Sequence, residues 1–296
     1  MNTYREHGVS KLATKTVNLI REILGDPIIV NAFVYQHFGR VVHRNWGDDI
    51  NYFFLRTITG RKIVVYDYSS LAHRLHKVNY MAIGSSLTLL CNDRTVVWGA
   101  GVIDPRQELP AKPLRVEAVR GPLTRQYLLD RRIDCPEVYG DPALLLPSYY
   151  RPKTVKRYKL GVIPHYADYG SPLLERLKND PEVLVIRTEQ YDHWHDFPDQ
   201  ICSCEAIASS SLHGLIVAEA YGIPNLWIEV SDAILGGHFK YHDFFLSIGR
   251  DRNIPYKISG KPQKEELLIE LQRWQAGSID TRQLKEHCPF RLLKSE

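Results

Sequence analysis

Short apolar runs separated by longer mixed segments recur along this chain. Residues 28–35, 62–66, 87–91, 95–102 and 115–119 are compact, rich in β-branched and aromatic side chains, and bounded by polar, glycine or proline positions, which predicts buried strands. Between them, 50–59 and 122–130 have helical spacing, with Pro122 where a helix start accepts proline. Residues 137–146 read as a strand and turn. The stretch 10–24 is helix-like, with Leu12, Val17, Leu19, Ile20, Ile23 and Leu24 interleaved with Lys11, Lys15 and Arg21. Its plain reading is an ordinary amphipathic surface helix; membrane contact is disfavoured because the apolar face is short.

Residues 147–157 break the pattern with two prolines and several basic positions, as a linker would. The alternation then restarts. Strands are expected at 159–163, 182–186, 205–208 and 225–230, and helices at 171–179, the later part of 193–204, 215–221, 240–248 and 265–275. Two successive sets of strands and helices predict an α/β chain of two Rossmann-like doubly wound domains facing a cleft. The expected division is 1–150 and 151–296, with the C-terminal helix packing back on the first domain.

Composition narrows the class. With 296 residues, 44% hydrophobic and 24% charged, the chain can bury substantial cores. A net charge of +4 suits an acidic small substrate or an anionic surface, and without a dense basic run nucleic acid is not an expected partner. Five irregularly spaced cysteines argue for a reducing compartment, and Cys202-Ser203-Cys204 lacks the gap of a zinc knuckle. No signal-like apolar region opens the sequence and no run nears the ~18 apolar residues of a membrane span, so a cytoplasmic location is expected, peripheral to a membrane at most.

Candidate chemistry concentrates in a few places. Residues 208–224 run from a short strand through Ser209, Ser210 and Ser211 into Leu212-His213-Gly214 and an apolar helix. Serines at a helix start make an anion pocket, with His213 at its lip. Residues 39–49 form a polar loop at the carboxyl edge of a βαβ unit, holding Asn45, Trp46, Asp48 and Asp49; an N-capping role accounts for one aspartate, a ligand-contacting loop for the group. Gly99 and Gly101 permit close backbone approach, but Asp104 breaks a dinucleotide fingerprint. Arg120 stands between a strand end and a helix start, placed for phosphate or carboxylate, or for a structural ion pair. His165 ends a strand, as a cleft ligand or a packed residue. His238 and His242 are four apart but lack a third ligand, so no metal site is expected.

In their order, these motifs resemble the polysaccharide pyruvyl transferases. Asn45-Trp46-Gly47-Asp48-Asp49 is similar to that family's N-x-G-D loop, and residues 97–102 to its glycine-ended strand. Arg120-Gly121-Pro122-Leu123-Thr124 and Gly140-Asp141-Pro142-Ala143 are similar to two further elements. Leu212-His213-Gly214, with Ala218, Gly222 and Pro224, is similar to its L-H-G block.

The resemblance implies a GT-B-like pair of Rossmann domains. It also implies transfer of a pyruvyl group from phosphoenolpyruvate to two sugar hydroxyls, giving a cyclic ketal and phosphate. The implied acceptor is a saccharide, often lipid-linked, destined for a bacterial exopolysaccharide or capsule. No cofactor is expected beyond phosphoenolpyruvate as donor. His213 would then carry the proton, and Asp48 or Asp49 would orient or deprotonate an acceptor hydroxyl. Trp46 would stack on a sugar. Arg120, Ser210, Ser211, Leu212, Gly214, Asn45, Gly99, His165 and Lys240 would bind substrate. Many members carry arginine where this chain has Ser211, so either Arg120, Arg125 or Lys240 supplies that charge or the donor pocket differs. The alternatives are a GT-B glycosyltransferase using a nucleotide sugar and a non-catalytic saccharide-binding relative. Oligomeric state is not readable from these features.

Overall fold

A computed structural model describes residues 8–232, 235–251, 254–260 and 262–294. The described residues carry two five-stranded parallel sheets flanked by helices. The first is built from β1 (Ile28–Val30), β2 (Ile63–Val65), β3 (Asn79–Met81), β4 (Thr95–Trp98) and β5 (Arg115–Ala118), in spatial order β2-β1-β3-β4-β5. The second is built from β6 (Tyr158–Ile163), β7 (Val183–Val185), β8 (Cys204–Ser209), β9 (Asn225–Glu229) and β10 (Tyr256–Lys257), in order β10-β9-β8-β6-β7. Counted within its own sheet, each has the order 2-1-3-4-5. Such a sheet changes direction between its first and third strands, and a crevice opens beyond their carboxyl ends.

Five helices position the cavity and its surroundings: α1 (Gly8–Ile23), α2 (Trp46–Thr59), α3 (Pro122–Leu129), α4 (Leu212–Ala220) and α5 (Phe239–Ser247). Helix α4 is apolar apart from His213 and Glu219 and is buried from Leu212 to Ala218. The reason is its position. One side packs on β8 and β9, while the 3₁₀ turn Pro142–Ser148 covers another. One apolar cluster therefore runs from Ile28, Trp46 and Trp98 to Ile163, Ile207 and Trp227. The C-terminal segment returns to the first sheet: Trp98 Nε1 donates to Leu284 O at 2.8 Å, and Leu293 N donates to Ile58 O at 2.8 Å.

Several expectations change. Residues 87–91 form a short helix, Leu87–Leu90, and the strand between β1 and β4 is Asn79–Met81. A four-residue apolar run fits either a buried strand or a buried helical turn, and periodicity alone cannot separate them. Residues 137–146 contribute a single bridge, Val119 to Tyr139, and then the 3₁₀ turn. Helix α2 starts at Trp46, so the last four residues of the expected polar loop are its first turn, while Arg40–Val41 belongs to a two-stranded hairpin with Gln36–His37. Helix α1 reverses the expected arrangement: Ser10, Thr14, Asn18 and Glu22 are buried, while Leu12, Ile20 and Ile23 face outward. No helix among the described residues is long and apolar enough to cross a membrane.

Candidate functional site

The loops leaving β1 and β3 meet those leaving β6 and β8 around one cavity of about 520 Å³. Tyr35, Arg44, Asn45, Asp48, Ser85 and Ser86 come from the first sheet's side. His165, Tyr166, Ser211, Leu212, His213 and Lys240 come from the second.

Asn45 caps α2, its side chain accepting from Gly47 N at 3.3 Å and its Nδ2 donating to Asp48 Oδ2 at 2.8 Å. That fixes Asp48 at the cavity wall. Burial pushes the Asp48 carboxyl above its ordinary range, against the opposing pull of His213, Asn45 and Lys240.

His213 lies on the opposing wall, in the first turn of α4, and its imidazole rests on the backbone of Gly47. A Cβ at Gly47 would stand 2.0 Å from His213 Nδ1, so the glycine of Asn45-Trp46-Gly47 is required by the histidine. His213 Nε2 is buried without a hydrogen bond and lies 3.8 Å from Asp141 Oδ2. Asp141 is fully buried and held in place, accepting from Ala143 N at 2.9 Å and from Gly84 N at 3.4 Å. A buried carboxylate facing an imidazole steadies the imidazolium that forms when the ring takes a proton.

Lys240 reaches the cavity from α5. Burial, with the nearby Arg120 charge, brings its ammonium down to about 8. Of the three cations considered for the charge absent at Ser211, Lys240 is the one lining the cavity. Arg125 donates to Cys135 O at 3.2 Å instead. His165 lies beside Lys240, and burial together with the Lys240 charge holds its ring down to about 4. Near neutral pH it is uncharged. Its Nδ1 accepts from Ala167 N at 3.4 Å, which assigns the ring proton to Nε2.

Other expected site residues are elsewhere. Trp46 is 0% exposed, donates from Nε1 to Trp194 O at 2.6 Å and stacks on Phe197, so no sugar reaches it. Asp49 is buried beneath the first turn of α2, accepting from Arg44 N at 3.0 Å and Tyr191 OH at 2.7 Å. Arg120 is 0% exposed. It pairs with Asp243 at 2.9 Å, donates to Val102 O at 2.8 Å and reaches Ser85 Oγ. With those donors engaged inside the protein, Arg120 bolts α5 to the first sheet and supports Ser85 from behind. Ser210 Oγ accepts from His165 N at 2.8 Å and joins two loops. Gly214 and Gly99 admit neighbouring chain: a Cβ would stand 2.4 Å from Ser209 Oγ at the first and 2.3 Å from Pro142 Cδ at the second.

Three contributors are not singled out by residue type in the sequence: Arg44, Ser85 and Asp141. Arg44 carries a signal, being a cation beside Asn45; its guanidinium lies 3.9 Å from the centre of the Tyr35 ring. Asp141 is visible as part of a motif but reads as a turn residue. It is both, since one oxygen caps the turn and the other faces His213. Ser85 carries no sequence signal.

Two parallel sheets flanked by helices turn their crevices onto one polar cavity that holds Arg44 and Lys240, which defines an α/β protein with its candidate site at the carboxyl ends of both sheets. The family profile described as Polysaccharide pyruvyl transferase matches residues 68–232. An uncharacterized protein, L143, of Acanthamoeba polyphaga mimivirus is 30% identical over 227 residues, covering 74% of this chain and 76% of that protein. The chain belongs to the polysaccharide pyruvyl transferase family.

Proposed function

We propose that this protein transfers the pyruvyl group of phosphoenolpyruvate onto two hydroxyls of a saccharide, forming a cyclic ketal and releasing phosphate, with two GT-B-like domains enclosing the reactants. The observation that carries this reading is the convergence of His213, backed by Asp141, with Asp48 and Lys240 around one cavity.

Phosphoenolpyruvate is multiply anionic and needs fixed cations and oriented donors. Lys240 and Arg44 supply the charge, while the Ser85 and Ser211 hydroxyls and the first turn of α4 supply donors. A proton passes from the His213 imidazolium to the methylene carbon of the donor, which becomes a methyl group. The adjacent carbon becomes electrophilic, one sugar hydroxyl attacks it, and Asp48 takes the hydroxyl proton. The bond between that carbon and the phosphate oxygen then breaks, the departing phosphate takes the proton held by Asp48, and the second hydroxyl closes the ring as its proton passes to His213 and restores the imidazolium. Asp141 holds the charge on His213 before transfer and reorients the ring for reprotonation.

Two measurements test the reading. Phosphoenolpyruvate should raise the melting temperature and a nucleotide sugar should not. Phosphate should be released from phosphoenolpyruvate only when a diol-bearing saccharide is present. Stabilisation by the nucleotide sugar alone would replace this reading with glycosyl transfer.

A further inference from the structure

Helix α1 is built inside out. Its protein-facing stripe, Ser10, Thr14, Asn18 and Glu22, repeats every four residues and is polar throughout. Each member is matched. Ser10 Oγ bonds His37 Nδ1 at 2.7 Å, and Thr14 Oγ1 accepts from Gly39 N at 3.0 Å. Asn18 Nδ2 donates to Gln36 Oε1 at 3.1 Å, and Glu22 Oε1 accepts from Ser69 Oγ at 2.8 Å. The opposite side is aliphatic and exposed: Leu12 at 68%, Ile20 at 52%, Ile23 at 66%, and Leu24, just past the helix, at 74%. Surface helices of globular proteins ordinarily turn the apolar stripe inward. Here hydrogen bonds to the body hold the helix with its apolar stripe turned outward.

Charge decides what that face meets. Lys11 is exposed and Lys15 is half-buried, both on one flank of the aliphatic face. The helix's acid, Glu22, lies on the inner side beside Lys77 at 3.6 Å. Thr16 is the exposed polar residue within this face, and its hydroxyl donates to Leu12 O at 3.0 Å; Asp26, exposed just past Leu24, is paired with Arg61 at 2.5 Å. An aliphatic face edged by lysines, its nearest exposed carboxylate neutralised, complements an anionic lipid surface. A second copy is a poorer fit. Four aliphatic side chains fall short of the roughly 800 Å² per partner of a standard stable interface.

The helix is also tied to the cavity. Its inner stripe is bonded to the hairpin formed by Gln36–His37 and Arg40–Val41. Tyr35 precedes that hairpin, Arg44 comes after it, and both line the cavity. Phe38, at the hairpin tip, is exposed as well. We propose that α1 is an interfacial membrane anchor that lies on anionic lipid through Leu12, Ile20, Ile23 and Leu24 and presents the cavity to a lipid-linked saccharide. The acceptor part of this statement rests on the proposed pyruvyl transfer; the anchor does not.

The test is flotation of the full chain with vesicles of phosphatidylcholine alone and of phosphatidylcholine mixed with phosphatidylglycerol. The wild type should float with the mixed vesicles and much less with the neutral ones. Leu12→Ser/Ile20→Ser/Ile23→Ser and Lys11→Glu/Lys15→Glu should each lower partitioning by about tenfold or more, with unchanged melting temperature. Absence of wild-type flotation, or equal flotation of the triple serine variant, overturns the anchor. So does a dimer, seen by light scattering, that the triple variant dissolves. The melting shift caused by phosphoenolpyruvate, measured on the same samples, separates failure of the anchor from failure of the proposed reaction.

Discussion

Replacing Gly47 with alanine tests the site from its most constrained contact. The added Cβ would stand 2.0 Å from His213 Nδ1, 2.6 Å from Cγ and 2.7 Å from Cε1. His213 is buried and packed edge-on to Trp46 at the cavity wall, so relieving the clash displaces the ring from that position. To restore an ordinary contact near 3.4 Å the ring must recede by roughly 1.4 Å, and misplacement of about 1 Å costs on the order of 10²-fold in rate. Overpacking of this kind costs about 1–3 kcal/mol in stability. Gly47→Ala should therefore retain its fold, melt a few degrees lower and lose about 100-fold in kcat for phosphoenolpyruvate-dependent phosphate release. A double-mutant cycle with His213→Ala isolates the contact, because removing the ring should remove the alanine's stability cost. Gly47→Ala with kcat within about threefold of wild type would refute the placement of His213 as the proton carrier. An additive cycle would refute the contact itself.

Buried charge carries three further predictions. Asp243→Ala should destabilise the protein by about 3–5 kcal/mol in denaturant titration, because it leaves Arg120 buried without its partner; a loss under about 1 kcal/mol would contradict the buried pairing. Asp49 titrates in the folded protein at about 6 against an ordinary 3.8. Its protonation therefore favours the fold, and that contribution of about 3 kcal/mol is full below the ordinary value and lost as pH rises through 6. Asp49→Asn should flatten the decline in stability between pH 4 and 6, and an unchanged slope would count against the assignment. Lys240, brought down to about 8, should make donor affinity fall as pH rises through that value. Calorimetry across that range should find the fall absent in Lys240→Gln, and its persistence there would remove Lys240 from the anion site.

The parallel strands are legible in the sequence because their apolar runs are short, β-branched and bounded by glycine or polar residues. Leu87–Leu90, expected as a strand, is a helical turn, and the strand Asn79–Met81 carries no expectation in the sequence, because each is too short for periodicity to discriminate. Helix α1 turns the other way for a different reason. An apolar stripe of helical period establishes a helix, but not which side the protein occupies. That depends on distant partners such as Gln36 for Asn18 and Ser69 for Glu22.

The site is legible in its motifs and less so in its roles. Asp48 and Asp49 are neighbours of the same type, yet the first faces the cavity and the second accepts from backbone and Tyr191 beneath it. A helical turn sends adjacent side chains about 100° apart, so only the register of α2 separates them. Arg120 and Lys240 differ in the same way. Arg120 has the chemistry of a phosphate ligand, but its partner Asp243 lies 123 residues away, and that ion pair takes it out of contact with solvent. The Arg120 charge nevertheless lowers the affinity of Lys240 for its proton. The buried arginine thus acts on the cavity through the lysine: it positions α5 by its ion pair and adds to burial, the larger cause, in bringing the Lys240 titration down. Relieving that influence should move the lysine's titration upward, a shift that distinguishes this electrostatic coupling from a purely structural role for Arg120.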